Sequence, residues 1–220
     1  MPRRMPRETT NRVTLTGKIK SPFVFSHEAY GQKFFKSVLI VERKSGAIDE
    51  IDLLISDATT DVEKDYTDQL FMIHGVLKSH IETENGKNHL HHAVYVRSFT
   101  PGPKKERVAN GLINNIHLEG YISKNPVARE TSKEKKVTDL FIAVHTSDSS
   151  SDYIPCICWN DVAEKAGKYE IGDLVKLSGR LQSREYKMKG TENIIRRIME
   201  VSIFSIENLG KEESTGQSDK

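Results

Sequence analysis

Residues 152–161, DYIPCICWND, alternate in a way that predicts a strand with two apolar faces. Successive side chains of a strand point to opposite sides, and one side of a small domain's sheet usually meets water. Here Ile154, Cys156 and Cys158 make one face, and Tyr153, Pro155, Ile157 and Trp159 make the other. That second face carries the chain's single tryptophan. Comparable patterning predicts strands near residues 115–123, 137–145, 174–185 and 197–206. Between the strand that ends at Trp159 and the one that begins near 174, the third and fourth of the five, lies NDVAEKAGKYEIGD, which predicts a short helix. Asn160 or Asp161 suits its N-cap, Val162 and Ala166 are spaced i, i+4, and Gly167 can end it.

The same pattern is written twice. VTLTGKI (13–19) returns as IHLEGYI (116–122), and KSVLIVER (36–43) as TDLFIAVH (138–145). DEIDLLISD (49–57) returns as DYIPCICWN (152–160), and LFMIHGVLKSH (70–80) as LVKLSGRLQSR (174–184). The order is kept at an offset near a hundred residues, which means duplication of a whole domain. The expected fold is all-β: two tandem five-stranded OB-fold barrels, each with a short helix between its third and fourth strands. Gly17, Gly75, Gly120 and Gly179 lie inside strands, where glycine suits a bulge or a barrel corner. The expected domains are 11–99 and 113–209. The Pro-, Gly- and charge-rich stretch 100–112 reads as a linker, and the polar 210–220 as a disordered tail.

Composition adds limits. Hydrophobic residues are 36% and charged residues 29%, an ordinary soluble balance, and no apolar run is long enough to span a bilayer. The basic start MPRRMPRE is followed by no apolar stretch of the secretory kind. Two cysteines at i, i+2 predict buried reduced thiols. A metal would need further ligands, and only His89, His91 and His92 in NHLHH offer them; a strand edge is the simpler reading, so no metal or cofactor is expected. Net charge is only +2, but cations cluster in PRRMPR, GPKKER, KEKK and the pair Arg196–Arg197. Taken singly, each cluster reads as a solvated loop.

The second copy resembles the bacterial single-stranded DNA-binding protein family. The resemblance is carried by IHLEGYISKNP, DLFIAVH, CWNDVAEKAGKYEIGDLVKLSGRLQSREY and EVSIFSIENLG. It is clear over residues 115–209 and holds only as pattern over 11–99. It implies stacking of nucleobases on the outer face of the copy's third strand, through Tyr153 and Trp159, with Tyr186 after the fourth. It also implies phosphate contacts from Lys133, Lys135, Lys136, Arg180, Arg184, Lys187, Lys189, Arg196 and Arg197. The implied function is sequence-tolerant binding of single-stranded DNA in replication, recombination or repair, without catalysis. Two barrels per chain resemble the branch of the family whose members pair two chains, so a homodimer with four barrels is expected, in a bacterial, nucleoid-associated, cytoplasmic setting.

The first copy departs from this pattern. Glu50 stands where Tyr153 stands, Ser56 where Trp159 stands, and Glu82 near Tyr186. Acidic groups repel phosphates, so this barrel is expected to bind weakly by that face or to act as scaffold. Phe23, Phe25 and Tyr30 offer a displaced stacking site, or a loop folded onto the barrel mouth; of Phe34 and Phe35, one belongs to the core. The chain ends ESTGQSDK, without the acidic Pro-Phe tip with which the family recruits repair enzymes. The alternatives are packing of Trp159 and Tyr153 in a core or subunit interface, and an OB-fold adaptor that binds protein in replication restart or a mobile element. No phosphate-cradling loop, HExxH or GxSxG motif points to an enzyme.

Overall fold

Strand β1 (Asn11–Ile19) changes partner halfway along its length, and the architecture follows from that change. The first copy continues with β2 (Val24–Ala29), β3 (Gln32–Glu42), β4 (Ile48–Ser56), β5 (Leu70–Glu84) and β6 (Lys87–Pro101). The second supplies β7 (Asn114–Ile122), β8 (Val127–Glu130), β9 (Lys136–His145), β10 (Ser151–Trp159), helix α1 (Asp161–Ala166), β11 (Asp173–Lys187) and β12 (Ile195–Lys211). The structure, a computed structural model, describes residues 10–84, 86–103, 112–146, 150–187 and 195–211.

In each copy five strands close into a barrel. β4 and β6 run parallel through Leu53–Val94, and β1 meets β3 through Ile19–Leu39. The second copy repeats this with Cys156–Val201 and Ile122–Ile142. The inner faces hold the core: Leu15, Leu39, Ile51, Leu53, Ile55, Ile73 and Leu77 in one barrel, Ile116, Leu118 and Ile142 in the other, all fully buried. Cys156 and Cys158 belong to that core as free thiols. Burial pushes the Cys158 thiol up to about 12, and Cys156 is raised by the same cause, so both stay protonated and unreactive.

β1 pairs with β5 along one edge. Along the other, residues Asn11 to Leu15 pair with β7, whereas Lys18 and Ile19 pair with β3. Gly17 stands at the switch, and a Cβ there would lie 2.4 Å from the Ile40 carbonyl oxygen. Gly120 makes the same turn in β7, with the Ala143 oxygen at 2.5 Å from a would-be Cβ. Gly75 and Gly179 sit at register shifts of β5 and β11. The β1–β7 ladder sets Val13 opposite Ile116, its own counterpart in the repeat. A pseudo-two-fold axis therefore passes between these two residues, and the barrels share one 12-stranded sheet.

Several expectations are corrected. The first copy has no helix after its third strand. Its connection DATTDVEKDYTDQ is a series of turns, held by Asp61 accepting from the Glu63 N–H at 3.2 Å and Asp65 from the Thr67 N–H at 2.9 Å. Asp and Thr capture nearby backbone in this way and compete with helix. In the second copy it is Ala163 and Ala166 that bury, not Val162. Asn160 stands at the N-cap position with φ 52° and no side-chain cap, and Gly167 ends the helix in right-handed geometry. β2 and β8 add an edge strand to each barrel beyond the expected five. The repeat is also one residue out of step in its second matched stretch: Ile40 faces Glu50 as Ala143 faces Tyr153, so Val38, not Leu39, is the counterpart of Phe141. β6 runs to Pro101 and β12 to Lys211.

The corner glycines yield a stability test. A Cβ on Gly179 would sit 2.4 Å from the Ser202 backbone oxygen, which cannot swing aside as a side chain could. Gly179→Ala is expected to cost about 1–3 kcal/mol, measured by urea unfolding. Wild-type stability in that variant would show that the corner does not need its glycine.

Candidate nucleic-acid interface

The face raised by DYIPCICWND is open. Ile154, Cys156 and Cys158 point inward and bury completely or nearly so, whereas Tyr153 is 45% exposed and Trp159 and Pro155 are half-buried. Ile157, on the same outer face, is buried. Tyr153 and Trp159 are six strand positions apart, about 20 Å. Between them, on the neighbouring β9, lies Phe141, half-exposed and directly opposite Pro155. The Lys124 Nζ sits 4.2 Å from its ring centroid. Tyr121 and Tyr153 flank the small Ala143 from either side, and Tyr121 meets the His145 ring edge-on at 5.4 Å. The alternation that singles out Tyr153 also singles out Phe141, because Asp139, Phe141, Ala143 and His145 oppose the inward Leu140, Ile142 and Val144. The sequence reading missed it.

Tyr153 is held from the other copy. Its N–H donates to the Ser79 Oγ at 3.1 Å, and its carbonyl accepts from the His92 Nε2–H at 2.8 Å. Asp152, buried beside it, accepts from the Ser79 N–H at 2.8 Å. Burial pulls His92 below the usual imidazole range, in keeping with a neutral ring that donates to a carbonyl. The pseudo-two-fold repeats half of this: the Ser183 N–H donates to Asp49 at 2.9 Å, and the Glu50 N–H donates to the Ser183 Oγ at 2.8 Å. His92, of the NHLHH stretch, is thus a structural donor.

The cations named from the sequence fall into separate groups. Lys133 and Lys135 lie exposed in the β8–β9 turn, with no ion pair among the described residues. Lys136 pairs with Glu164, and Arg184 reaches Glu200 at 3.3 Å. Arg197 bonds both Glu50 and Asp52 of the first copy, so it clamps the two barrels together. Arg180 lies in the cleft between the copies, with its guanidinium 5.7 Å from the Phe204 ring. Lys189 lies outside the described residues, as do the side chains of Tyr186, Lys187 and Arg196.

The matching face of the first copy is built differently. Glu50 joins Lys20 at 2.5 Å as well as Arg197, which holds its carboxyl below the usual range. Glu82 joins Lys36 at 2.5 Å and His80 at 2.9 Å. Ser56 is buried and its hydroxyl donates to the Gln32 Oε1 at 3.2 Å. Phe34, opposite Ser56, is covered by Tyr95 and the His27 ring outside the main core, while the half-buried Phe35 is the one of the pair that packs against the core. Of the displaced aromatics, Phe23 packs edge-on against Tyr66 and Phe99 at the core. Phe25 is 56% exposed and rests on Phe35, and Tyr30 is fully exposed at the β2–β3 turn with φ 53°. The three do not form one site.

Two closed barrels sharing a sheet, one with a solvent-facing aromatic strand and the other with that face closed by ion pairs, define a tandem OB-fold protein. The chain belongs to the single-strand binding protein family, whose description matches residues 113–207. It is 32% identical over 90 residues to single-stranded DNA-binding protein B of Bacillus subtilis, covering 38% of this chain and 80% of that protein. It is 26% identical over 113 residues to single-stranded DNA-binding protein 1 of Lactococcus lactis, covering 48% and 74%. The crystal structure of the wild-type single-stranded DNA binding protein from Thermus aquaticus is similar with a TM-score of 0.71 over 96% of this chain and 98% of that one. At 18% identity that likeness is one of fold.

The ion pairs of the first copy predict an acid limb. Lys36 above all, then His80, holds the Glu82 carboxyl at about 2, against 4.5 when free. A lowered carboxyl stabilises the fold above its free value and stops doing so as pH falls through its folded value. The contribution of Glu82 is therefore full above about pH 4.5 and disappears toward pH 2. Glu82→Gln is expected to flatten the loss of stability over that window, read by urea unfolding at stepped pH. An unchanged slope would remove Glu82 from the acid response.

Proposed function

We propose that the chain binds single-stranded DNA with little sequence preference, as a non-catalytic protein of DNA replication, recombination or repair. The observation that carries this reading is the outward aromatic strand: Tyr153 and Trp159 on β10, with Phe141 beside them, face solvent while the opposite face of the same strand already fills the core. Single strands expose their base faces and duplexes do not, so a row of aromatic rings selects the former. The names of the relatives point the same way. In this reading Lys133 and Lys135 hold phosphates directly. Lys136 and Arg184 exchange a carboxylate for a phosphate, and Tyr186, Lys187, Lys189 and Arg196 extend the path. The first copy serves as scaffold, because Glu50 and Glu82 present carboxylates where the second copy presents rings.

Quenching of the one tryptophan by oligo(dT) tests the reading directly. Trp159→Ala is expected to lower oligo(dT) affinity by about 1–3 kcal/mol, and Tyr153→Ala by a similar amount, with little change in melting temperature. Affinity should fall as salt rises, because bound phosphates release counterions. Equal affinity for duplex and single strand would overturn the reading. A large loss of stability with normal affinity in the folded fraction would reassign Trp159 to the core, whereas a parent protein that binds no oligo(dT) would favour an adaptor that binds protein.

We infer a homodimer as well, which brings four barrels together around a true two-fold axis. Light scattering at micromolar protein is expected to return about twice the 24.9 kDa of the chain. The monomer mass would rule the dimer out.

A further inference from the structure

The cleft between the copies is lined by Arg43 and Lys44 of the first copy's β3–β4 turn, and by Leu112, Arg180 and Phe204 of the second. Its volume is about 570 Å3, enough for a nucleotide. Phe204 is 53% exposed and lies on β12 where the ladder with β11 slips at Ser178/Gly179. The slip frees Phe204 from a cross-strand partner and turns a large apolar ring to solvent.

Arg180 is the cation at this ring. Among the described residues its buried Nε has no hydrogen-bond partner, and its Nη2 reaches only the neutral Gln182 oxygen, at 3.5 Å. Burial first, and then the nearby Arg43, lower its affinity for the proton, and Asp49, whose carboxylate is bonded to Arg43, offsets this only in part. Arg43 is committed to Asp49 by two bonds of 2.5 and 2.6 Å. Lys44 is exposed. The one carboxylate in the lining, Glu42, is exposed and forms no ion pair among the described residues. A guanidinium over an open aromatic ring, with a second free cation across the cleft, is a recipe for a base and its phosphate.

The cleft and the aromatic face belong to the same side of the second barrel's sheet and are joined through its ladder. Ile157 on β10 pairs with Ser202 on β12, and Ser202 pairs with Arg180 on β11. One row of the ladder thus runs from between Tyr153 and Trp159 to Arg180; its middle residues Ile157 and Ser202 are buried beneath their neighbours, and Phe204, two residues along β12 from Ser202, is the exposed ring at its far end. We propose that a single strand leaving the aromatic face crosses β12 at Ser202 and enters this cleft, where Phe204 stacks a base and Arg180 and Lys44 hold its phosphates. The first copy then joins the path through its β3–β4 turn and not through its own barrel face. This rests on the single-strand reading given above.

The test uses the full chain and oligo(dT) from about 5 to about 35 nucleotides, spanning the site sizes usual for such barrels. Phe204→Ala is expected to weaken the long oligonucleotides roughly 5- to 100-fold and leave the shortest unchanged. Lys44→Glu should lower affinity over the same lengths and reduce the salt slope by about one. Both side chains are exposed, and melting temperature confirms the fold of each variant. Wild-type affinity at every length in both variants overturns the proposal while the parent protein still binds. A loss equal at all lengths overturns it too, by placing Phe204 on the first-contacted face. A parent protein that binds no single strand removes the underlying reading and the cleft with it.

Discussion

The ladder between β1 and β7 is the constraint from which the rest of the molecule follows. A barrel strand that leaves its closing partner halfway exposes a row of N–H and C=O groups, which must be paired. β1 and β7 solve this for each other, because both leave their barrels at a glycine and both then run antiparallel around Val13 and Ile116. Val13 and Ile116 are buried at this joint, so the union is apolar as well as hydrogen-bonded. Once the strands are paired, the relation of the two barrels is fixed. Asn11 then reaches the Leu77 backbone, and Asn114 the Leu181 backbone, each with a donor and an acceptor at 2.8 and 2.9 Å. At this joint the two copies keep what the symmetry uses, identical Asn11 and Asn114 for the backbone bonds and apolar Val13 and Ile116 at the axis.

Away from the axis the copies were free to diverge. Asp49 and Asp152 keep equivalent bonds to Ser183 and Ser79, so the clasp is shared. One residue later the sequence splits into Glu50 and Tyr153. Glu50 turns to Arg197 and Lys20, and Tyr153 turns to solvent. Breaking the Arg197 pairs by truncation would leave two partly buried carboxylates facing one another. Asp52 is already pushed above the usual carboxylate range by its burial, ahead of any effect of Arg197. The pairs therefore bring specificity of docking more than raw stability, since they allow one arrangement of the barrels and penalise others.

What the sequence disclosed was what depends on local period. Alternation located the barrel strands, the inward cysteines and the outward Tyr153 and Trp159, and duplication made the second barrel a consequence of the first. The same period misled where sequence separation matters. The first copy's connection lacks a helix because Asp61 and Asp65 capture their own backbone, while Tyr66 plugs the core with its hydroxyl 3.1 Å from Thr60. The slip at Val38 was invisible because LIV and FIA are equally apolar in either register, and only the ladder decides between them. Phe23 looked like Phe25 in the sequence. It differs because Tyr66 and Phe99, more than forty residues away, cover it. Arg197, a phosphate contact on the family resemblance, meets acids from the opposite half of the chain.

These differences give the duplicated protein a division of labour with a physical basis. The outward Tyr153 does not fix its own position, because both of its backbone groups bond to Ser79 and His92 of the other copy. A ring that must meet a base gains from a backbone that cannot drift, since the alignment is then settled before the ligand arrives. The first barrel supplies that rigidity while its own face is closed by Lys20, Lys36 and Arg197. Glu50, standing where the second copy has a ring, is what allows the first barrel to pair with Arg197 of the second and hold it still.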